Sequence, residues 1–138
     1  MTRVVVDPGV LVSALISPTG TAAQLYLKWL GGAFELVVSP HLLRELDKVL
    51  HRPKLTTTPD QVERYVEVFR RSAVMEPDAP QPWPTVTRDP KDDYLVALAH
   101  AVGVDAIISG DGDLISLSEL VPPVIRPADF LAMIQKGR

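Results

Sequence analysis

Acidic side chains in this chain fall where a sheet would present them together. Asp7 closes the apolar run Val4-Val5-Val6, and Asp111 and Asp113 follow Ala106-Ile107-Ile108-Ser109. Glu45 and Asp93 each lie in the opening turns of a helix that follows a strand or a loop. Distant stretches thus deliver carboxylates just past the carboxyl ends of strands, which in an open parallel sheet is where ligands bind. Carboxylates that converge there repel one another and are costly unless a cation holds them. A cluster of hard oxygen donors suits Mg²⁺ or Mn²⁺. The chemistry expected of it is metal-assisted hydrolysis of a phosphodiester, in which a water made nucleophilic near neutral pH attacks phosphorus in line.

Each acid has a plainer alternative. Asp7 ends a strand and is placed to cap the next helix. Glu45 and Asp47 flank the leucine face of their helix at similar angles, so periodicity does not choose between them. Asp92 and Asp93 both open a helix, where acids are favoured by its dipole. Asp92 stands three residues after Asp89, as a capping-box partner does, and reads as mainly structural. Asp93 lies one turn below Val96 and Ala97, toward the packed side, and reads as the functional one. Ser109-Gly110-Asp111-Gly112-Asp113 puts two acids in a glycine-rich turn. Asp-Gly turns are common, so its weight comes from combination with Asp7. His41, His51 and His100 share no metal-ligand spacing and read as surface or helix-flank residues. Arg44, Lys48, Arg88 and Lys91 are candidates for phosphate contact, with solvated helix faces as the alternative. There is no nucleophile elbow, P-loop or dinucleotide fingerprint.

The elements that must position these acids alternate between strand and helix. Strands are expected over 3–7, 34–39, 74–75, 106–109 and 124–125. Helices are expected over 10–16, 22–30, from Pro40 to before Pro53, from Pro59 onward, over 92–102 and over 127–134. Ser39-Pro40 and Thr58-Pro59 each pair an N-cap residue with proline at the first helical position. Asp78 to Pro84 is a loop, and Trp29 with the leucines of its helix reads as core or dimer contact. Apolar runs separated by helices imply a parallel sheet covered on both faces, with right-handed crossovers.

The chain has 138 residues, 46% hydrophobic and 22% charged, which suits a single domain over 1–138 with one core. Without cysteine there is no disulfide, thiolate site or cysteine nucleophile. The net charge of −3 is unlike the basic balance of most non-specific nucleic-acid binders, although bound metal would bring it close to neutral. The start shows no signal-type apolar run, and no apolar stretch approaches the ~20 residues of a membrane span. A cytoplasmic protein is expected.

Four segments carry a likeness to a known family: Val4 to Leu15, Leu36 to Leu46, Arg88 to Ala99 and Ile107 to Leu114. In this order and spacing the chain resembles a PIN-domain ribonuclease of the kind found as the toxin of VapBC-type toxin–antitoxin modules. The resemblance implies a three-layer α/β/α sandwich with a central parallel sheet of about five strands. It implies a Mg²⁺ or Mn²⁺ site made by Asp7, Glu45, Asp93 and Asp111, with Asp113 as a further ligand. It also implies RNA as substrate, a cognate antitoxin and a homodimer. One departure stands out: Pro8-Gly9 occupies the place of a polar pair, so the side-chain hydrogen bonds that would orient Asp7 are expected to be missing, with loss of activity. The alternative function is a catalytically weak or silent PIN-like module that binds protein or RNA. Chemistry of the kind run by topoisomerase–primase folds, whose paired acids Asp111-Gly112-Asp113 resembles, is a third reading. Phosphatases that form an aspartyl phosphate need a second acid where Gly9 stands.

Overall fold

A computed structural model of the chain describes residues 1–85, 90–115 and 122–136. Five parallel strands form its sheet: β1 (Arg3–Val6), β2 (Glu35–Val38), β3 (Val74–Met75), β4 (Ala106–Ile108) and β5 (Val124–Ile125), in the order β3-β2-β1-β4-β5. Val4-Val5-Val6, Leu36-Val37-Val38 and Ala106-Ile107-Ile108 are buried throughout. Successive strand residues face opposite sides of a sheet. Unbroken burial therefore means that both sides are covered, which is the expected α/β/α sandwich.

The covering helices among the described residues are α1 (Pro8–Ile16), α2 (Thr21–Leu30), α3 (Pro40–Leu50), α4 (Pro59–Ser72), α5 (Asp93–Val102), α6 (Gly112–Ile115) and α7 (Pro127–Lys136). Their starts follow from local chemistry. The Ser39 side chain accepts from the Leu42 N–H at 3.1 Å. Thr58 and Gln61 form a reciprocal capping box over the first turn of α4. Helix α1 begins at Pro8, two residues earlier than its apolar pattern suggested. The Asp7 side chain accepts from the Gly9 N–H, and proline at the first position needs no such acceptor. Trp29 is buried and stacks on Phe69 of α4, ring centroids 5.3 Å apart, so it belongs to the core.

Two local expectations change. The turn after β4 contains the four-residue helix α6. Helix α5 is preceded by a 3₁₀ turn, Pro90–Asp92, and the Asp92 side chain does not cap it. Asp89, the other half of the expected capping box, lies outside the described residues, as does Arg88. Among the described residues, no single helix is long and apolar enough to cross a membrane.

Strand order reverses direction between β1 and β4. From β1 the chain moves through β2 to β3 on one side, then returns to place β4 and β5 on the other. Connections leaving β1 and β4 diverge, and a crevice opens at the carboxyl ends of those two strands.

Candidate metal centre

Asp7 leaves β1 at this crevice. Its backbone N–H donates to the Ile108 carbonyl at 2.9 Å, so the β1–β4 ladder fixes its position. Both carboxylate oxygens are held. Oδ1 accepts from the Gly9 N–H at 2.9 Å, and Oδ2 accepts from the Ser109 hydroxyl at 2.9 Å. Ser109 is completely buried just past β4, with 0% of its surface exposed, and its backbone N–H continues the ladder to the Ile125 carbonyl. Its oxygen also accepts from the Asp111 N–H at 3.0 Å. One hydroxyl therefore ties Asp7 to the backbone of Asp111. Asp111 in turn accepts from the Asp113 N–H through Oδ1 at 2.9 Å and begins α6.

The third acid comes from the turn before α5. One carboxylate oxygen from each of Asp7, Asp92 and Asp111 lies within 4.8 Å of the others, and all three residues are half-buried. This is the group of potential metal ligands among the described residues. Three carboxylates so close repel strongly, and two hydrogen bonds on Asp7 do not remove the charge. An all-oxygen donor set of this kind fits a hard divalent cation. Asp7 thus caps a helix and joins the cluster at once, with separate lone pairs serving the two tasks.

The structure places the remaining expected site residues around this group. Asp93 is buried, 6% exposed, and is outside the group of three; its neighbour Asp92 is within it. Asp113 is exposed in the first turn of α6. Glu45 faces His41 one turn earlier on α3, Oε1 to Nε2 3.6 Å. Asp47 pairs instead with His51 at 2.8 Å, with 51% of its side chain exposed. The two acids therefore differ in exposure, 28% of the Glu45 side chain against 51% of that of Asp47.

Sequence reasoning missed an aromatic cluster that includes His41, the partner of Glu45. The rings of His41 and Tyr94 lie 4.2 Å apart, and Trp83 closes against both at 5.2 and 6.1 Å. The loop bearing Trp83 is tied down by its indole N–H to the Ala79 carbonyl and by Asp78, which accepts from the His41 N–H at 2.9 Å. Tyr94 is 4% exposed. Burial first, then the charges of Asp7, Glu45, Asp92 and Asp78, push its phenol far above the usual tyrosine range. The phenol therefore stays protonated. No spacing rule links Tyr94 to His41, since their rings meet from two helices distant in sequence, α3 and α5.

An open cleft of about 410 Å³ runs from Asp7 and Asp111 along Gly9, Ser13 and Thr21 to Pro127. Of the basic candidates, Arg44 lines a different recess with Asp47, Arg70 and Met75. Lys48 is exposed on α3, and Lys91 is exposed next to Asp92.

A doubly wound parallel sheet with acids clustered at its switch point defines a class of α/β domain whose crevice is lined by carboxylates. A family model for the PIN domain matches residues 3–113, and the chain belongs to the PIN-domain family. No curated protein matches the chain by sequence. Similar solved structures include PAE2754 from Pyrobaculum aerophilum, at 14% identity over 98% of this chain and 96% of that one, with a TM-score of 0.66. VapBC2 from Rickettsia felis, bound to a DNA fragment from their promoter, is 10% identical over 91% and 98% of the two chains, with a TM-score of 0.61. FitAB bound to an IR36 DNA fragment is 13% identical over 90% and 94%, with a TM-score of 0.56. At these identities the likeness is one of fold.

Proposed function

We propose that this PIN-domain protein is a Mg²⁺- or Mn²⁺-dependent endoribonuclease acting as the toxin of a toxin–antitoxin module. The observation that carries this reading is the convergence of Asp7, Asp92 and Asp111 within 4.8 Å at the switch point of the sheet. In this reading Asp7, Asp92 and Asp111 hold the cation, and Asp92 takes the place that periodicity gave to Asp93. A bound divalent ion supplies a nucleophilic water near neutral pH and neutralises charge building on the phosphate. The chain's own residues do the rest. Ser109 and the Gly9 N–H fix the Asp7 carboxylate, so it need not reorganise during the reaction. Glu45, held by His41, accepts a proton from the attacking water. Asp113, exposed at the mouth of the site, adds negative field and a further ligand.

The expected loss of orientation at Pro8-Gly9 is met from elsewhere. The Gly9 backbone N–H and the Ser109 hydroxyl each hold one oxygen of the Asp7 carboxylate. This favours a working enzyme over the second reading, a silent module that docks a partner. The partners proposed are an RNA substrate, a separately encoded antitoxin and a second copy of the chain. The similar structures VapBC2 and FitAB, each bound to a DNA fragment, are in keeping with a toxin–antitoxin pairing.

The test is cleavage of a mixed RNA pool with Mg²⁺, Mn²⁺ or chelator, comparing the parent with Asp7→Asn. Metal-dependent cutting that disappears in the variant is the expected result. If neither protein cuts while Mn²⁺ still raises the melting temperature, as binding to the native state must, the binding-module reading replaces this one.

A further inference from the structure

The cleft that opens beside Asp7 and Asp111 has a lining that the metal chemistry leaves unused. Its volume of about 410 Å³ lies within the range of small-ligand sites, roughly 300–1,000 Å³. Among the described residues, neither a basic side chain nor an aromatic ring lines it. It therefore offers no cation to a second phosphate and no platform on which a base would stack. Apart from the two acids, its polar side chains are Ser13 and Thr21, and glycine backbone and small apolar side chains make up the rest.

Ser13 has a set polarity. Its hydroxyl donates to the Gly9 carbonyl at 3.1 Å. A serine hydroxyl has one proton, so toward the cleft Ser13 only accepts. Thr21, half-buried in the first turn of α2, brings a second hydroxyl, which can donate. Ser13 lies four residues along α1 from Gly9, about 6 Å at the helical rise, and the Gly9 N–H holds Asp7. The group covalently next to a phosphate at the acids is a sugar. A sugar group that both donates to Ser13 and accepts from Thr21 is a hydroxyl, and the 2′-hydroxyl is what separates ribose from deoxyribose.

We propose that this cleft is a ribose subsite, in which Ser13 and Thr21 bind the 2′-hydroxyl of a nucleotide flanking the scissile phosphate and so select RNA over DNA. The inference rests on the nuclease reading above and adds the residues that set its substrate class. The acids and their cation act on the phosphate, which RNA and DNA share. The two hydroxyls act on the sugar, which they do not share.

The test uses the full chain and a short RNA spanning a site cut in the pool. Beside it stand the same oligonucleotides with a single 2′-deoxy nucleotide on one or the other side of that site. The parent should cut the all-RNA strand with a kcat/KM about 10-fold above that for one of the deoxy strands, the upper end of what one hydrogen bond contributes. In Ser13→Ala and Thr21→Val that ratio should fall toward one. Ser13→Ala exchanges a back-bond that slightly opposes the helix for the best helix former, so its metal-free melting temperature should not fall. An unchanged ratio in both variants, or a parent indifferent to either deoxy nucleotide, overturns the subsite, while metal-dependent cutting leaves the nuclease standing. If the parent cuts no RNA in Mg²⁺ or Mn²⁺, both readings fall together.

Discussion

A single hydroxyl and a single turn decide how the acids of this protein meet. Ser109 joins Asp7 to Asp111, residues 104 positions apart, through one oxygen that donates to the first and accepts from the backbone of the second. Asp92 and Asp93 are adjacent, yet only Asp92 enters the group of three. We therefore expect Asp92→Asn to lose most of the Mn²⁺-induced rise in melting temperature. Asp93→Asn should keep that rise from a lower metal-free starting point, because a buried, structurally engaged carboxylate has been altered. Equal loss of the rise in both variants would return Asp93 to the ligand set. Asp7 and Asp111 were legible from sequence because each follows a strand, whereas periodicity did not separate Glu45 from Asp47. The choice between Asp92 and Asp93 was not legible. Asp92 ends a 3₁₀ turn and Asp93 begins α5, a boundary that periodicity does not locate to one residue. Ser109 was visible as a residue but not as an anchor, since its partner is 102 positions away.

Elements hold these residues by ordinary means. Helix α3 starts on Ser39 and carries His41 and Glu45 on successive turns toward the crevice. Helix α4 starts on the Thr58–Gln61 capping box, and Phe69 near its end stacks on Trp29. Removing that cap should cost stability without touching the site. Thr58→Ala is expected to lower the free energy of unfolding by about 1 kcal/mol, read from urea melts, with RNA cleavage by the folded protein unchanged. A matching fall in activity would mean that α4 is coupled to the acids. The proline-marked starts of α3 and α4 and the fully buried strands were readable, because each rests on a local rule. The early start of α1 and the existence of α6 were not. Both depend on an aspartate side chain folding back on its own backbone, Asp7 on Gly9 and Asp111 on Asp113.

On the scale of the whole molecule, the sheet order sets where chemistry can occur and leaves other faces for partners. Leu27 and Leu30 of α2 and Met133 of α7 are exposed large apolar side chains, Leu27 at 66%, on two helices that pack together. We expect this face to serve the proposed pairing of two copies. Leu27→Lys should then shift the sedimentation coefficient from dimer to monomer while leaving Mn²⁺ binding intact. A parent that sediments as a monomer at all concentrations would remove that assignment. The contact between β1 and β4 has a separate outcome. Asp7 and Asp111, which it gathers, stand 104 positions apart in a chain of 138 residues, so a cation gripping them would be a clasp across most of the contour length. In an unfolded chain those ends are far apart and the clasp cannot close. Depleting the cation would thus silence the site and also loosen the central ladder. Amide exchange at Asp7 and Ser109 should quicken before that at the α4 turns, making metal supply a control on how long the molecule lasts as well as on what it does.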